Sequence, residues 1–449
     1  MNKKINDGDT SNNARINSNS ARKKKTEENK TQRRWWQSIG PGLITGAADD
    51  DPSGIATYSQ AGAKFGFHTL WTLAFTYPLM VAIQIVSARI GRVSGHGLAT
   101  HIRHQYSRRV LHSIIFLLVA ANTINIGADI AAMGDACTLL IGGDGSHYFA
   151  LGFGLASLLL QIFIPYKRYV RILKWLTFAL FAYIATAFVE AIPWRTVLHD
   201  FVLPRWSWQR EYVTTLVAIF GTTISPYLFF WQSSQEVEEL RRHRQKPLRD
   251  APAHTALEAQ SFQSINVDTV VGMGVSNIVA FFIMLSAAVT LHAHGVSDIQ
   301  TSADAAAALR PLAGDAAFWL FTLGIIGTGL LSVPVLAGSA AYAVGGAFNW
   351  NSSLEHSFSE ARPFYAVVAA ATLIGTALCF SPINPMRALY WSAVINGVIA
   401  VPIMAIMMRM AVNARVMGEH RIGPWLHGLG WLATAVMALA VVAMAYFSL

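Results

Sequence analysis

Apolar stretches of about twenty residues recur along the chain, separated by short polar connections. Eleven can be marked, roughly at 39–62, 68–90, 110–133, 147–165, 170–192, 211–233, 269–291, 314–343, 363–380, 384–408 and 425–447. The apolar positions run continuously instead of alternating, which predicts helices and not strands. A helix of about 20 residues crosses the ~30 Å hydrocarbon core of a bilayer. Only helices or closed barrels satisfy the backbone there. The expected fold is an all-α polytopic membrane protein with eleven transmembrane helices, so a lipid bilayer is its expected surrounding. Residues 1–37 break the pattern: they are rich in Asn, Ser, Lys and Arg, and almost free of large apolar residues before Trp35 and Trp36. They read as a disordered basic cytoplasmic tail, anchored at the membrane surface by the two tryptophans, and not as a nucleic-acid-binding arm. No apolar core follows the basic start, so no signal peptide is expected.

Composition supports this class. Apolar residues make up 53% and charged ones 13%, about half the ~25% charged share of soluble domains, and mean hydropathy is +0.39. A soluble enzyme, a disordered chain and a disulfide-stapled domain are all excluded as defaults. Cys137 and Cys379 each lie inside an apolar run, which gives neither a disulfide framework nor a zinc pattern. The net charge of +9 matters through its distribution. With the N-terminus in the cytoplasm, only Lys64, Arg195, Arg205, Arg210, Arg310 and Arg387, of 34 basic residues, fall on the outer side. The positive-inside rule therefore predicts a cytoplasmic N-terminus, and eleven spans place the C-terminus outside.

Two segments are interrupted. The first reads Gly46-Ala47-Ala48-Asp49-Asp50-Asp51-Pro52-Ser53-Gly54. A charge at the centre of a lipid-facing helix costs about 2.5–3.5 kcal/mol, so the three aspartates must face a protein interior or a wet cavity. Pro52 lacks an N–H and pushes the residue before it out of helical geometry, so the segment should break into two halves. Carbonyls of the first half and N–H groups of the second are expected to point into the gap. A bland reading stands beside this one: Asp51 caps the second half, with Pro52 at its first position. One cap does not need three aspartates. The sixth segment repeats the device as Gly221-Thr222-Thr223-Ile224-Ser225-Pro226-Tyr227. A pair of Pro/Gly-interrupted helices five segments apart points to a transporter with inverted five-helix repeats, about 38–192 and 211–408, plus an extra helix at about 425–447. The substrate site falls between the two breaks. At the second break, Thr222 or Ser225 faces the substrate, or Ser225 merely fills the kink.

At these residues the sequence resembles the NRAMP divalent-metal transporters. Gly40-Pro41-Gly42, Asp51-Pro52, Ala56-Thr57, Gln60-Ala61-Gly62-Ala63 and Ser87-Ala88-Arg89 are similar to that family's first two helices. Phe220-Gly221-Thr222-Thr223 before Ser225-Pro226 resembles its sixth, and Met417-Gly418 fits as well. The likeness runs over roughly residues 38–420. It implies a LeuT-like core of eleven helices, with a metal ion bound between broken helices 1 and 6. The family's helix 1 signature is Asp-Pro-Gly-Asn; here Ser53 and Gly54 stand for Gly-Asn. Its helix 6 signature is Met-Pro-His with an alanine three residues earlier; here Ser225, Tyr227 and Thr222 occupy those places. A thioether favours transition metals, and its loss leaves oxygen donors that suit a hard cation. Small Gly54 and Ser225 are expected to enlarge the site for a partly hydrated ion. Asn122 and Ala132 stand where the family has glutamates of its proton route, whereas Asp129 is kept. This pattern resembles the NRAMP-related magnesium branch.

The expectation is therefore a divalent-cation importer, not an enzyme, in a bacterial inner (plasma) membrane. It takes Mg²⁺, and Mn²⁺ as a second substrate, by alternating access without strong proton coupling. The alternative is a proton-coupled Mn²⁺/Fe²⁺ importer. The candidate metal residues are Asp51, Thr222, Ser225, Gly54, Asp49, Asp50, Tyr227 and Asn396. The metal is cargo; no cofactor and no obligate protein partner are expected. A sodium-coupled carrier of an organic solute is disfavoured by three aspartates at the break. An intramembrane aspartyl protease lacks its Tyr-Asp and Gly-x-Gly-Asp motifs, and ATP-driven transport lacks a phosphate-binding loop. His101 with His104, and His292 with His294, read as solvated histidines before metal ligands. Asp129 reads as a buried pairing partner, Asp135 as a residue near water, and Trp231 and Trp391 as packing or interface residues.

Overall fold

The computed structural model describes residues 41–143, 145–164, 177–189, 191–245, 254–354 and 356–448, and among them it contains helices and turns but no strand. The expected tail, residues 1–37, lies outside the described residues. Segment 1 is two helices, α1 (Pro41–Asp49) and α2 (Pro52–Phe65). Segments 2, 3 and 4 are α3 (Trp71–Ser94), α4 (Arg108–Ile141) and α5 (Ser146–Phe163). Segment 6 is again two helices, α6 (Arg210–Thr223) and α7 (Pro226–Gln245). Then come α8 (His254–Thr290), α9 (Ala317–Phe348), α10 (Arg362–Leu378), α11 (Pro385–Ala411) and α12 (Pro424–Ser448). Ten of the eleven expected segments thus coincide with helices. The fifth lies partly on residues outside the described set; its described part holds a short helical stretch over Thr177–Leu180 and Phe181–Thr186.

Helix ends depart from the sequence reading in two long helices. Segment 3 continues from residue 133 to Ile141, and segment 7 begins at His254 instead of 269. At 1.5 Å per residue, the 34 residues of α4 reach about 51 Å, well beyond a ~30 Å hydrocarbon core.

The packing follows the two-repeat plan. Segment 1 lies against segment 7, segment 6 lies against segment 2, and the long α4 and α9 lie against each other. A shift by five segments exchanges the first two contacts and returns the third to itself. Small residues allow these crossings, as expected where helices meet in a membrane. A Cβ on Gly46 would stand 2.3 Å from the Gly272 carbonyl, and one on Gly91 would stand 2.1 Å from the Ser233 carbonyl. A Cβ on Gly221 would stand 2.0 Å from the Ala393 carbonyl of α11. Trp231 is fully buried and meets Tyr342 edge-on at 6.2 Å, which makes it a core residue.

Candidate cation site

Both breaks form at a proline that follows a polar residue, whereas Pro78, Pro334 and Pro402 lie inside continuous helices. Asp51 takes an extended conformation (φ −72°, ψ 168°) just before Pro52, the first residue of α2. Its Oδ1 accepts from the Gly54 N–H at 2.8 Å and the Ser53 hydroxyl at 2.6 Å. The capping role is therefore real. It uses one oxygen only. Oδ2 faces other segments, accepting from Asn125 Nδ2 of α4 at 3.0 Å and lying 3.5 Å from the Tyr227 hydroxyl of α7. Asn125 Oδ1 in turn accepts from the Ser392 hydroxyl of α11 at 2.8 Å. The central carboxylate thus ties segments 1, 3, 6 and 10 together.

The free carbonyls expected at the end of α1 are not all open. The Tyr227 hydroxyl donates to the Ala48 carbonyl at 3.1 Å. Asp49 and Asp50 turn towards segment 7, where the Ser276 hydroxyl lies 2.8 Å from Asp49 Oδ2 and 2.9 Å from Asp50 Oδ1. Ser276 has one hydrogen for these two acceptors. Asp49 Oδ1 is buried without a hydrogen-bond partner. All three aspartates are buried. Among the described residues, none forms an ion pair with Lys, Arg or His. Nor do three or more His, Cys, Asp or Glu side chains converge there in a metal-binding arrangement. The three carboxylates share a region without meeting at a point.

The second break closes on itself. The Ser225 hydroxyl lies within reach of the Gly221 and Thr222 carbonyls, at 2.8 and 2.9 Å, covering the exposed end of α6. Thr223 reaches back to Ile219 at 2.5 Å. Thr222 faces segment 1: a Cβ on Gly54 would meet its Oγ1 at 3.2 Å and the Tyr58 ring at 3.4 Å. The room that Gly54 was expected to open is therefore occupied by Thr222 and the buried Tyr58. Asn396 on α11 is buried, and both its amide atoms lack partners.

The remaining candidates have ordinary contacts, although Asp129 Oδ1, Asn122 Oδ1 and His101 Nε2 are buried without a hydrogen-bond partner. Asp129 accepts from the Ser332 hydroxyl of α9 at 2.7 Å, and Asn122 donates to the Leu336 carbonyl at 2.9 Å. Ala132 is buried. Asp135 accepts from Ser302. His292 and His294 each place Nδ1 on a backbone carbonyl, Ala63 and Thr290. His101 lies edge-on to His96 at 6.0 Å. Burial, with His96 and His104 beside it, pushes its imidazole down to about 4.

Access differs at the two ends. On the side that the charge distribution assigns to the exterior, a cavity of about 330 Å³ opens between α2, α6 and α11. Gln60, Lys64, Arg210, Glu211, Asp298 and Arg387 are among its lining residues, and the half-exposed Trp391 stands at its wall. Lys64 and Glu211 pair across it at 2.9 Å. On the opposite side hydrogen bonds lace the helices. Gln84 of α3 reaches Gln232 of α7 at 2.5 Å, Gln232 reaches Thr269 of α8 at 3.0 Å, and the Gly42 N–H reaches Asp268 at 2.8 Å.

Sequence reasoning missed Asn125, Ser276, Ser392 and Tyr58. A signal for two of them exists. Asn122, Asn125 and Asp129 recur at helical spacing on segment 3, and Ser392 and Asn396 stand one turn apart on segment 10.

Comparison with known proteins agrees with this architecture. The model of the family Nramp, natural resistance-associated macrophage protein-like, matches residues 42–447. A divalent metal cation transporter MntH of Klebsiella pneumoniae is 25% identical over 407 residues, covering 89% of this chain and 91% of the relative. A crystal structure of the Eremococcus coleocola manganese transporter with an aromatic bis-isothiourea compound superposes with TM-score 0.72 at 17% identity, covering 92% of this chain and 88% of that one. MhsT in complex with L-phenylalanine superposes with TM-score 0.60 at 13% identity, over 90% of this chain and 98% of that one.

Proposed function

This chain belongs to the Nramp family, and we propose that it is an integral membrane carrier that imports divalent metal cations by alternating access between its two broken segments. One observation carries the reading: three buried carboxylates meet a helix break with no basic side chain paired to them among the described residues. Buried negative charge is costly without compensation, and a divalent cation supplies it. In this reading Asp51 is the central ligand. Thr222 and Ser225 offer oxygen donors, and Asp49 and Asp50 attract the ion or hold its water. Gly54 and Tyr227 border the same space, and the buried, unpartnered amide of Asn396 is assigned to it in this reading.

The relatives' names, divalent metal cation transporter and manganese transporter, support Mn²⁺ cargo, the cargo of the proton-coupled alternative, better than a magnesium-selective carrier. Mn²⁺ accepts carboxylate and other oxygen donors. Asp129, a buried carboxyl on segment 3, is the group assigned to proton traffic. Mg²⁺ remains a second reading on a specific ground. Ser225 and Tyr227 put neither thioether nor imidazole beside Asp51, and oxygen donors suit Mg²⁺ as well. The basic residues favour a cytoplasmic N-terminus and an exterior C-terminus in a bacterial inner membrane. An inside-negative potential then favours entry of a divalent ion by about 4.6 kcal/mol per 100 mV.

Proteoliposomes with a negative interior and a trapped pH dye test both readings. Saturable Mn²⁺ uptake with acidification supports the first. Mg²⁺ uptake without acidification supports the second. Flux of neither ion overturns the proposal.

A further inference from the structure

We infer that Asn125 and Ser392 are positioning residues for Asp51, an inference that rests on the proposed role of Asp51 as the central cation ligand. All three side chains are buried. Asn125 Nδ2 donates to Asp51 Oδ2 at 3.0 Å, and its Oδ1 lies 2.8 Å from the Ser392 hydroxyl. An amide has a donor end and an acceptor end, and its orientation is set by its neighbours. Reversing Asn125 would press its carbonyl oxygen against a carboxylate, whereas the Ser392 hydroxyl can pair with either end of the amide. The serine hydroxyl shares its hydrogen between Asn125 Oδ1 and the Leu389 carbonyl at 2.7 Å, which anchors it to its own helix turn. Segment 10 thereby holds the amide in place, the carboxylate sets which end faces it, and the amide in turn holds the carboxylate.

The other oxygen is fixed locally by Ser53 and Gly54. Asp51 is thus held at both oxygens by donors from different origins, and its plane is set before any ion arrives. Preorganisation of this kind raises affinity by reducing the ordering that binding must impose. Asn125 and Ser392 act through Asp51 and are assigned no contact with the ion.

The test is Mn²⁺ uptake into proteoliposomes, with Mn²⁺ binding to the purified full chain measured by calorimetry. Asn125→Ala should raise the apparent KM on the order of ten-fold, the worth of one hydrogen bond to a charged group, with maximal rate within about two-fold. Ser392→Ala should raise KM less, and Ser392→Thr should restore it. The double variant Asn125→Ala/Ser392→Ala should match Asn125→Ala alone, because the serine acts only through the amide. Thermal unfolding in detergent accompanies each variant; if Asn125→Ala fails to fold, the Ser392→Ala and Ser392→Thr pair decides. Unchanged KM in every folded variant, or additive effects of the two alanines, overturns the inference while leaving the proposed function intact. A wild-type protein that neither binds nor carries Mn²⁺ overturns the proposed function, and the inference with it.

Discussion

At the break in segment 1, most of the side chains that close the gap come from elsewhere in the fold: Asn125 from segment 3, Tyr227 from segment 6 and Ser276 from segment 7. At the break in segment 6 they come from the segment itself, where Ser225 and Thr223 return to carbonyls one turn back. The second break is therefore closed mainly by its own residues, with the Ser339 hydroxyl of α9 on the Tyr227 carbonyl and the close approach of Gly221 to Ala393 as outside contacts. The first holds its shape only while four segments agree. Donors borrowed from other helices can be exchanged when helices move, so the acidic break is the one whose chemistry changes with conformation.

Removing Asp51 should separate the two breaks most sharply. Asp51→Ala should reduce Mn²⁺ uptake to background, and it leaves the Gly54 N–H and Asn125 Nδ2 without their acceptor. Tracer uptake at wild-type level would end the idea that segment 1 is the exchanging side. Next in size is a pair of glycine changes. Gly221→Ala places its Cβ against the Ala393 backbone at 2.0 Å, and thermal unfolding should show a loss of about 1–3 kcal/mol or more from overpacking. Gly54→Ala meets the Thr222 hydroxyl, the Tyr58 ring and, at 3.6 Å, the Asp49 carbonyl, none of them closer than 3.2 Å, so it should fold and show its effect in KM. The two serines sharpen the contrast further. Ser276→Ala should lower uptake roughly ten-fold by removing the hydroxyl between two buried carboxylates. Ser225→Ala should cost about 1 kcal/mol of stability and change uptake less, as paired flux and unfolding measurements would reveal. The smallest effect is one of preference: Ser225→Met should strengthen competition by Cd²⁺ relative to Mg²⁺, because a thioether selects softer ions. Unaltered competition would remove Ser225 from the ligand set.

The positions of both breaks were legible because their signal is local. At Asp51-Pro52 and Ser225-Pro226 the proline follows a polar residue within a polar stretch that also holds glycine, whereas Pro78, Pro334 and Pro402, set among apolar residues, lie inside continuous helices. Most of the spans were legible for a related reason, since a continuous apolar run of sufficient length has one use. The partners of Asp51 were not legible. Asn396 stood out as a polar residue in segment 10, yet Ser392, one turn earlier, carries the link to Asn125. Asn122 drew attention by alignment, yet Asn125 carries the contact. Which member of a polar stripe reaches across depends on how two helices are rotated against each other, and that is decided by packing over their whole length. Gly54 misled for a more local reason. A missing side chain opens space only if no neighbour fills it, and Tyr58 comes from the next turn of the same helix.

Segment 7 lies along both halves of segment 1. Gly46 of α1 rests on Gly272, and Gly62 of α2 rests on the Met284 carbonyl, with Ser276 between these crossings at the aspartates. The arrangement is a joint strapped to a single splint. Neither arm can swing alone without leaving the splint, so reorientation must carry segment 7 along or let one arm slide over it. The glycine pair at Gly46 and Gly272 presents no interlocking side-chain ridges at that crossing, which makes it the bearing on which the shorter arm can glide.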